Sequence, residues 1–175
     1  MDGVVNFLKP PGMTGFDCAA FAHRLTGAKC GHAGTLDPEA AGVLPLLLGR
    51  ASKLFDYIAE GGKTYLAEVA FGAATDTFDA QGIVVAESDA RPDEKAILAA
   101  LPDFIGEIEQ VPPMYSALKR GGQRLYKLAR AGKSLPLAPR RVTVDGIDFI
   151  RLTPSGCLLR VRCGKGVYIR SLAHD

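Results

Sequence analysis

The chain has 175 residues, of which 47% are hydrophobic and 23% charged, with 21 Lys and Arg against 19 Asp and Glu. This profile is typical of a soluble globular protein, and the length suffices for one sizeable domain but barely for two. No stretch approaches the roughly 20 apolar residues of a membrane span, so we expect none. No basic region precedes the first apolar stretch, so we expect no secretion signal.

Cofactor signatures are absent from the sequence. The cysteines form no CxxC pair, which indicates reduced thiols in a cytoplasmic protein. Cys30 and His32 form a single C-x-H pair without a second pair at ligand spacing, so we expect no metal. No glycine opens a P-loop string, so we expect no nucleotide either.

The first third of the chain alternates strand and helix signals. The stretch "VVNFL" predicts a buried strand that ends at the turn "KPPGMTG". Thr14 and Asp17 resemble a capping box and predict a helix that Gly27 closes. The stretch "ASKLFDYIAE" has apolar residues at helical spacing and predicts a second helix, which Gly61 and Gly62 end.

Strand signals dominate the rest of the chain. "TYLAEVAFG" alternates, "IVVAE" follows a polar loop, and "RVTVDGIDFIRL" and "CLLRVRC" flank the turn "TPSG" as a hairpin. Helices are predicted where Pro92 begins "PDEKAILAAL", at "QRLYKLARAG" and at "VYIRSLAHD". Hairpins mixed with a few helices predict an α+β domain around a mixed, largely antiparallel sheet flanked by helices. No repeat, linker or boundary divides residues 1–175.

Asp37 lies in "GHAGTLDPEAAGVLPLLLG" and has two compatible interpretations. Asp-Pro-Glu is a helix-start signal, with Asp37 as N-cap and Pro38 as the first helical residue. Alternatively, Gly31 and Gly34 allow close backbone approach and the apolar run supplies walls, so that Asp37 presents a catalytic carboxylate to a cleft.

The basic residues are concentrated in one segment. From 118 to 141 there are eight Lys and Arg and no acid, which leaves 13 basic and 19 acidic residues elsewhere, a net charge of −6. On the predicted helix Arg120, Arg124 and Lys127 fall at i, i+4 and i+7, and Arg130 follows. This pattern fits either a solvated helix face or contact with phosphates, and the missing acids favour phosphates.

Five stretches resemble the bacterial tRNA pseudouridine-55 synthases, the TruB-type branch of the pseudouridine synthases. They are "LKPPGMTGFD", "GHAGTLDPEAAGVLPLLLGRASKL", "GKTYLAEVAFGAATDTFDAQG", "VPPMYSALKRGGQRLYKLARAG" and "GKGVYIRSLAHD", and together they span nearly the whole chain. The resemblance implies an isomerase that converts one uridine in the T-arm of tRNA to pseudouridine without a cofactor. It also implies a pseudouridine-synthase-like catalytic domain over 1–175, acting as a monomer.

The resemblance also implies residue roles. Asp37 matches the family's essential carboxylate, whose first step is left open between attack on the sugar, attack on the ring and removal of a ribose proton. Tyr65 matches the tyrosine that stacks on the flipped base and assists proton removal, and Arg170 matches the ion-pair partner of the aspartate. The RNA-contacting matches are His32, Tyr168, Lys9 (where we expect structural support more than chemistry), Lys119, Arg120, Arg124, Lys127 and Arg130.

Two features depart from the family pattern. Gly15 stands where the family usually has Ser, which we expect to weaken a turn or cap. Relatives also continue beyond the helix that begins at "VYIRSLAHD", with a further strand and commonly an RNA-binding domain of the PUA type. The alternative to an isomerase is therefore a catalytically incomplete fragment that binds or folds tRNA. A carboxylate hydrolase is disfavoured because no second catalytic acid sits in a comparable motif.

Overall fold

A computed structural model describes residues 1–133 and 135–175, which divide into two compact units, Met1–Gly61 and Gly62–Asp175. The single-domain interpretation of 1–175 stays a prediction. No helix among the described residues is long and apolar enough to cross a membrane.

The first unit is built on a three-stranded antiparallel sheet. Its strands β1 (Gly3–Lys9), β2 (Cys30–His32) and β3 (Gly42–Leu48) lie in the order β1-β3-β2. Helix α1 (Gly15–Thr26) buries Cys18 against Leu44 and Leu46 of the central strand. A 3₁₀ turn (Gly49–Leu54) leads into the short helix α2 (Phe55–Ala59).

The capping box of α1 forms as the sequence predicts. Thr14 Oγ1 accepts from the Asp17 backbone N–H at 3.1 Å, and the Asp17 carboxylate accepts from the Thr14 N–H at 2.9 Å. Gly27 ends the helix in the left-handed conformation, with φ of 67°. The hydrogen bonds from the Thr14 hydroxyl and then from its N–H hold the pKa of the Asp17 carboxyl below its ordinary value.

The second unit contains a four-stranded antiparallel sheet and two small hairpins. Its strands are β4 (Lys63–Ala70), β5 (Ala73–Thr75), β6 (Val84–Glu87), β7 (Gly106–Gln110), β8 (Lys119–Arg120), β9 (Gln123–Arg124), β10 (Arg140–Leu152) and β11 (Gly156–Cys163). The sheet has the order β4-β11-β10-β7, and the hairpins are β5-β6 and β8-β9. The predicted hairpin around "TPSG" is confirmed, with Leu152 opposite Cys157 next to the turn.

The described residues of this unit also form three α-helices, α3 (Glu94–Ala100), α4 (Leu125–Arg130) and α5 (Ile169–His174), and a 3₁₀ turn (Leu101–Phe104) follows α3. Asp93 caps α3, so Pro92 precedes the cap rather than opening the helix as predicted. The core lies between the sheet and α3, where Ile97 packs with Val144, Leu159 and Val161. The α+β prediction is confirmed, and every strand pairing among the described residues is antiparallel. All four cysteines carry free thiols.

The α1 cap predicts a pH-dependent cost for Thr14→Ala. At neutral pH the change should lower the free energy of unfolding by about 1 kcal/mol, because it removes an N-cap side chain. The folded pKa of Asp17 lies below its ordinary 3.8, so the stability it contributes is present above that value and is lost as the pH falls through the lower folded pKa. Urea unfolding should therefore show the cost shrinking on acidification, and a cost independent of pH would contradict this account.

Candidate active site

The residue that carries the catalytic hypothesis, Asp37, lies in a tight turn of the first unit. The Ala40 N–H donates to the Asp37 carbonyl at 3.0 Å, and the Asp37 side chain is half-buried. The prediction that a helix starts at Asp37 is wrong. The chain instead enters β3 at Gly42, with φ of 152°, and β3 pairs with β1 along its whole length. Strand pairing with a distant segment thus overrides the local Asp-Pro-Glu signal.

A buried lysine supports this turn from beneath. Lys9 has no exposed surface, and its ammonium donates to the carbonyls of Pro38 and Ala40 at 2.7 Å each and of Pro10 at 3.0 Å. The Gly12 N–H adds a bond to the Pro38 carbonyl at 2.9 Å. An RNA contact by Lys9 is therefore contradicted, because its donors are committed to backbone carbonyls inside the unit. These hydrogen bonds give Lys9 a structural role, since they hold the turn that contains Pro38 and Ala40.

His32 lies at the end of β2, five residues before Asp37. Its Nδ1 bonds to the Gly34 carbonyl, which fixes the ring against the loop. The ring also lies against the start of α1, where a Cβ built on Gly15 would stand 3.0 Å from His32 Nε2. The capping box is intact despite Gly15. The capping-box bonds thus form with glycine at position 15, and its missing side chain leaves room for the imidazole. The expectation that Gly15 weakens the cap stays a prediction.

Arg170 organises a cluster of polar contacts within the second unit. Its Nη1 donates to the Thr77 carbonyl and its Nη2 to the Tyr115 carbonyl, both at 2.9 Å. The guanidinium also lies 3.4 Å from an Asp79 carboxylate oxygen, and its side chain is only 13% exposed. Asp79 was not anticipated from the sequence as a partner of Arg170, although it lies in one of the stretches that resemble the family. Charge alone gave no signal, because the Asp79 and Arg170 positions are distant along the chain.

Two tyrosines of the second unit occupy different settings. Tyr65 alternates inward on β4, opposite Val161, and packs against the core of this unit. Tyr168 precedes α5, and its backbone N–H and carbonyl are both bonded to the side chain of Gln110. Gln110 was not anticipated from the sequence, because one polar residue at a strand end carries no local signal.

The basic segment folds as a hairpin followed by a helix, not as one helix. Arg120 lies in β8 and Arg124 in β9, so the predicted helical face joining them to Lys127 is wrong. The Arg120 guanidinium donates to the Pro136 carbonyl, which ties the hairpin to the chain beyond α4. Residue 134, inside the segment, lies outside the described residues. The side chains of this segment predicted to contact RNA are all exposed: Lys119, Arg120, Arg124, Lys127 and Arg130.

Helix α4 does place its apolar side inward as predicted. Leu125 is buried and Leu128 and Ala129 are half-buried. Arg130 lies over the Tyr126 ring, 5.7 Å from its centroid, a cation–π contact that leaves its charge near the surface.

The predicted site residues thus fall into two groups. Lys9, His32 and Asp37 come together in the first unit, around the turn that follows β2. In the second unit, Tyr168 and Arg170 are hydrogen-bonded to residues of the 110–115 stretch. Tyr65 belongs to the same unit. The pairing of Asp37 with Arg170 stays a prediction.

Comparison with known proteins identifies the family. The model of the TruB family pseudouridylate synthase N-terminal domain matches residues 23–169. The chain belongs to this family. The tRNA pseudouridine synthase B of Symbiobacterium thermophilum is 52% identical over 180 residues, covering 100% of this chain and 60% of that protein. The protein of the same name from Clostridium kluyveri is 47% identical over 176 residues, covering 100% and 61%. The chain therefore spans about 60% of the length of these TruB-family relatives.

Solved structures agree with this family. A crystal structure of a Cbf5-Nop10-Gar1 complex contains a chain that is 31% identical, with a TM-score of 0.71 over 98% of this chain and 42% of that one. A structure of an H/ACA RNP bound to a substrate RNA containing 2'-deoxyuridine gives 28% identity and a TM-score of 0.67, covering 98% and 41%.

The geometry of Lys9 predicts that Lys9→Met is destabilising. Its removal leaves the carbonyls of Pro38 and Ala40 without the donor that they share inside the unit, which should cost about 1–3 kcal/mol in free energy of unfolding. Chemical denaturation measures this cost. The matched control is Lys53→Met, because Lys53 is exposed on the 3₁₀ turn of the same unit. Equal stability of the two variants would contradict a supporting role for Lys9.

Proposed function

We propose that this chain isomerises a T-arm uridine of tRNA, at position 55, to pseudouridine, with Asp37 as the essential carboxylate. The observation that carries the proposal is the Asp37 turn, held by a fully buried lysine in a chain that belongs to the TruB family. The names of the relatives support tRNA as the substrate, and the solved RNP supports an RNA-bound state of this fold.

The reaction is an internal exchange of bonds. The bond from ribose C1′ to uracil N1 breaks, the ring turns, and a bond from C1′ to C5 forms, after which the C5 proton leaves and N1 takes up a proton, so that product and substrate are isomers. The target base is stacked within RNA and must first be flipped out. In the proposal the carboxylate of Asp37 acts on the flipped nucleotide and Tyr65 stacks on the base and assists removal of the C5 proton.

Other residues serve orientation and RNA binding in this proposal. Arg170, fixed by the carbonyls of Thr77 and Tyr115, supplies the cation that pairs with Asp37 and orients it. His32 enters the RNA beside the vacated position, and Tyr168 lines the base pocket. The exposed basic segment contacts the phosphates of the T-arm.

Asp37→Asn should abolish isomerisation while leaving RNA binding unchanged. Tritium release from a tRNA transcript labelled at uridine C5 measures the reaction, and we expect a loss of more than about a hundredfold. Glu39→Gln is the matched control, because Glu39 is exposed in the same turn and the exchange is chemically the same. Release by Asp37→Asn at the wild-type rate would contradict the catalytic role. No release by wild type, with RNA binding intact, would instead favour a tRNA-binding fragment.

Salt dependence tests the basic segment. Arg124→Ala should lower the slope of log K against log salt concentration for tRNA binding by about 0.7–0.9, the value expected for one phosphate contact. Arg24→Ala, at the exposed end of α1, should leave the slope unchanged. Filter binding between low and moderate salt measures both slopes, and equal slopes in the two variants would count against phosphate contact by Arg124.

A further inference from the structure

Gln110, the last residue of β7, is a buried amide bonded to both backbone groups of one residue. It is 2% exposed. Its Oε1 accepts from the Tyr168 N–H at 2.8 Å, and its Nε2 donates to the Tyr168 carbonyl at 3.0 Å. A buried amide is costly unless it is hydrogen-bonded, and here one side chain reproduces the paired bonds of a β-bridge.

This pair of bonds lies at the start of the helix that bears Arg170. Tyr168 is the N-cap of α5 in an extended conformation, with φ of −102° and ψ of 109°, and its own side chain makes no capping bond. Ile169 and Leu172 of this helix pack against the core of the unit, and the two bonds from Gln110 hold Tyr168 at its start. These contacts together set the direction of the first turn of α5.

The chain after β7 continues the attachment along α5. Ser171 Oγ donates to the Val111 carbonyl at 2.7 Å, and Arg170 Nη2 donates to the Tyr115 carbonyl at 2.9 Å. Residues 110–115, which we call the strap, thus run beside the first turn of α5. Gln110 is the anchor at its start, and it bonds backbone rather than a side chain, so it fixes the position of Tyr168 whatever rotamer the ring adopts.

We propose that Gln110 is a positioning residue for the isomerisation: it sets the backbone of Tyr168 and thereby the direction of the Arg170 guanidinium. The inference rests on the proposed function, in which Arg170 orients Asp37. Gln110 itself touches neither RNA nor a reacting atom. A displacement of about 1 Å in a positioning group costs up to about a hundredfold in rate.

Two substitutions of similar size, Gln110→Met and Gln110→Glu, test whether Gln110 positions Tyr168 through its hydrogen bonds or only fills space in the core. Gln110→Met removes both bonds, and it should lower kcat for tritium release by about ten- to a hundredfold while changing KM for tRNA by less than about threefold. KM is spared because the exposed basic segment supplies the RNA contacts. Circular dichroism and a thermal midpoint above the assay temperature establish that the variant is folded.

Gln110→Glu supplies a readout that a structural role does not move. A protonated carboxyl is a near isostere of the amide, accepting from the Tyr168 N–H and donating to its carbonyl, whereas a carboxylate cannot donate. Burial favours the neutral form. The kcat of this variant, divided by that of wild type at each pH, should rise by about tenfold as the pH falls from about 8 to about 5. The same ratio for Gln110→Met should stay flat.

Neighbouring charges do not account for such a rise. Arg140 lies opposite Gln110 in the β7-β10 register, and Arg170 follows on α5. These two residues, Arg141 on β10, His174 on α5 and Asp175 after it are unchanged in every variant, so division by wild type removes their own contribution to the pH profile. Glu107→Gln, an exposed carboxyl-to-amide exchange on β7, should behave as wild type at every pH.

The outcomes are distinguishable. Tritium release by wild type with equal kcat in Gln110→Met overturns the inference and leaves the proposed function standing. A ratio for Gln110→Glu that stays flat at the wild-type level also overturns it, since the second hydrogen bond then has no bearing on the rate. No release by the wild-type chain overturns the proposed function itself, and with it the inference. A selective loss of kcat with recovery at low pH supports both.

Discussion

The Asp37 turn of the first unit depends on the hydrogen bonds that the Lys9 ammonium donates to backbone carbonyls. A charge removed from water is costly, and here it is compensated by three backbone carbonyls, two of them from the turn that begins at Asp37. A turn between a glycine-punctuated loop and a strand has little packing of its own. The lysine beneath Pro38 and Ala40 binds that turn to the end of β1. Asp37 can thus be half-buried at the surface and still be held in one position.

The second unit uses the same principle with different groups. Arg170 and Gln110 direct their donors to backbone carbonyls of Thr77, Tyr115 and Tyr168 rather than to solvent. The apolar core of this unit packs the sheet against α3, but these polar contacts fix the start of α5 and the loop after β5. Such networks are stabilising only when every member is satisfied, so each depends on the others. Loss of one donor should disturb geometry more than it disturbs the core.

Features encoded by neighbouring residues were predictable from the sequence, and features set by distant residues were not. The α1 capping box and the inward alternation of β4 follow from spacings of three and two residues. The helix at Asp37 failed because its local signal competes with seven register pairs between β1 and β3. The contacts of Arg170 with Asp79 and of Gln110 with Tyr168 join segments far apart in sequence. No periodicity marks such pairs, and the resemblance supplied Arg170 without the residues that hold it.

Gly15 shows how a local interpretation and a tertiary one diverge at a single residue. In the sequence it stands inside a capping box, where the lack of a side chain is expected to weaken the helix cap. The box, however, is made by Thr14 and Asp17 alone, and α1 begins normally. What the missing Cβ provides is space, because a side chain at this position would meet the His32 ring at 3.0 Å. The ring's Nδ1 is bonded to the Gly34 carbonyl on its other side. The start of α1 and the orientation of His32 are therefore coupled: a side chain at position 15, such as the Ser of the family pattern, requires the ring to shift by a few tenths of an ångström, so the effect of residue 15 is felt in the loop that leads to Asp37 as well as in the helix that it opens.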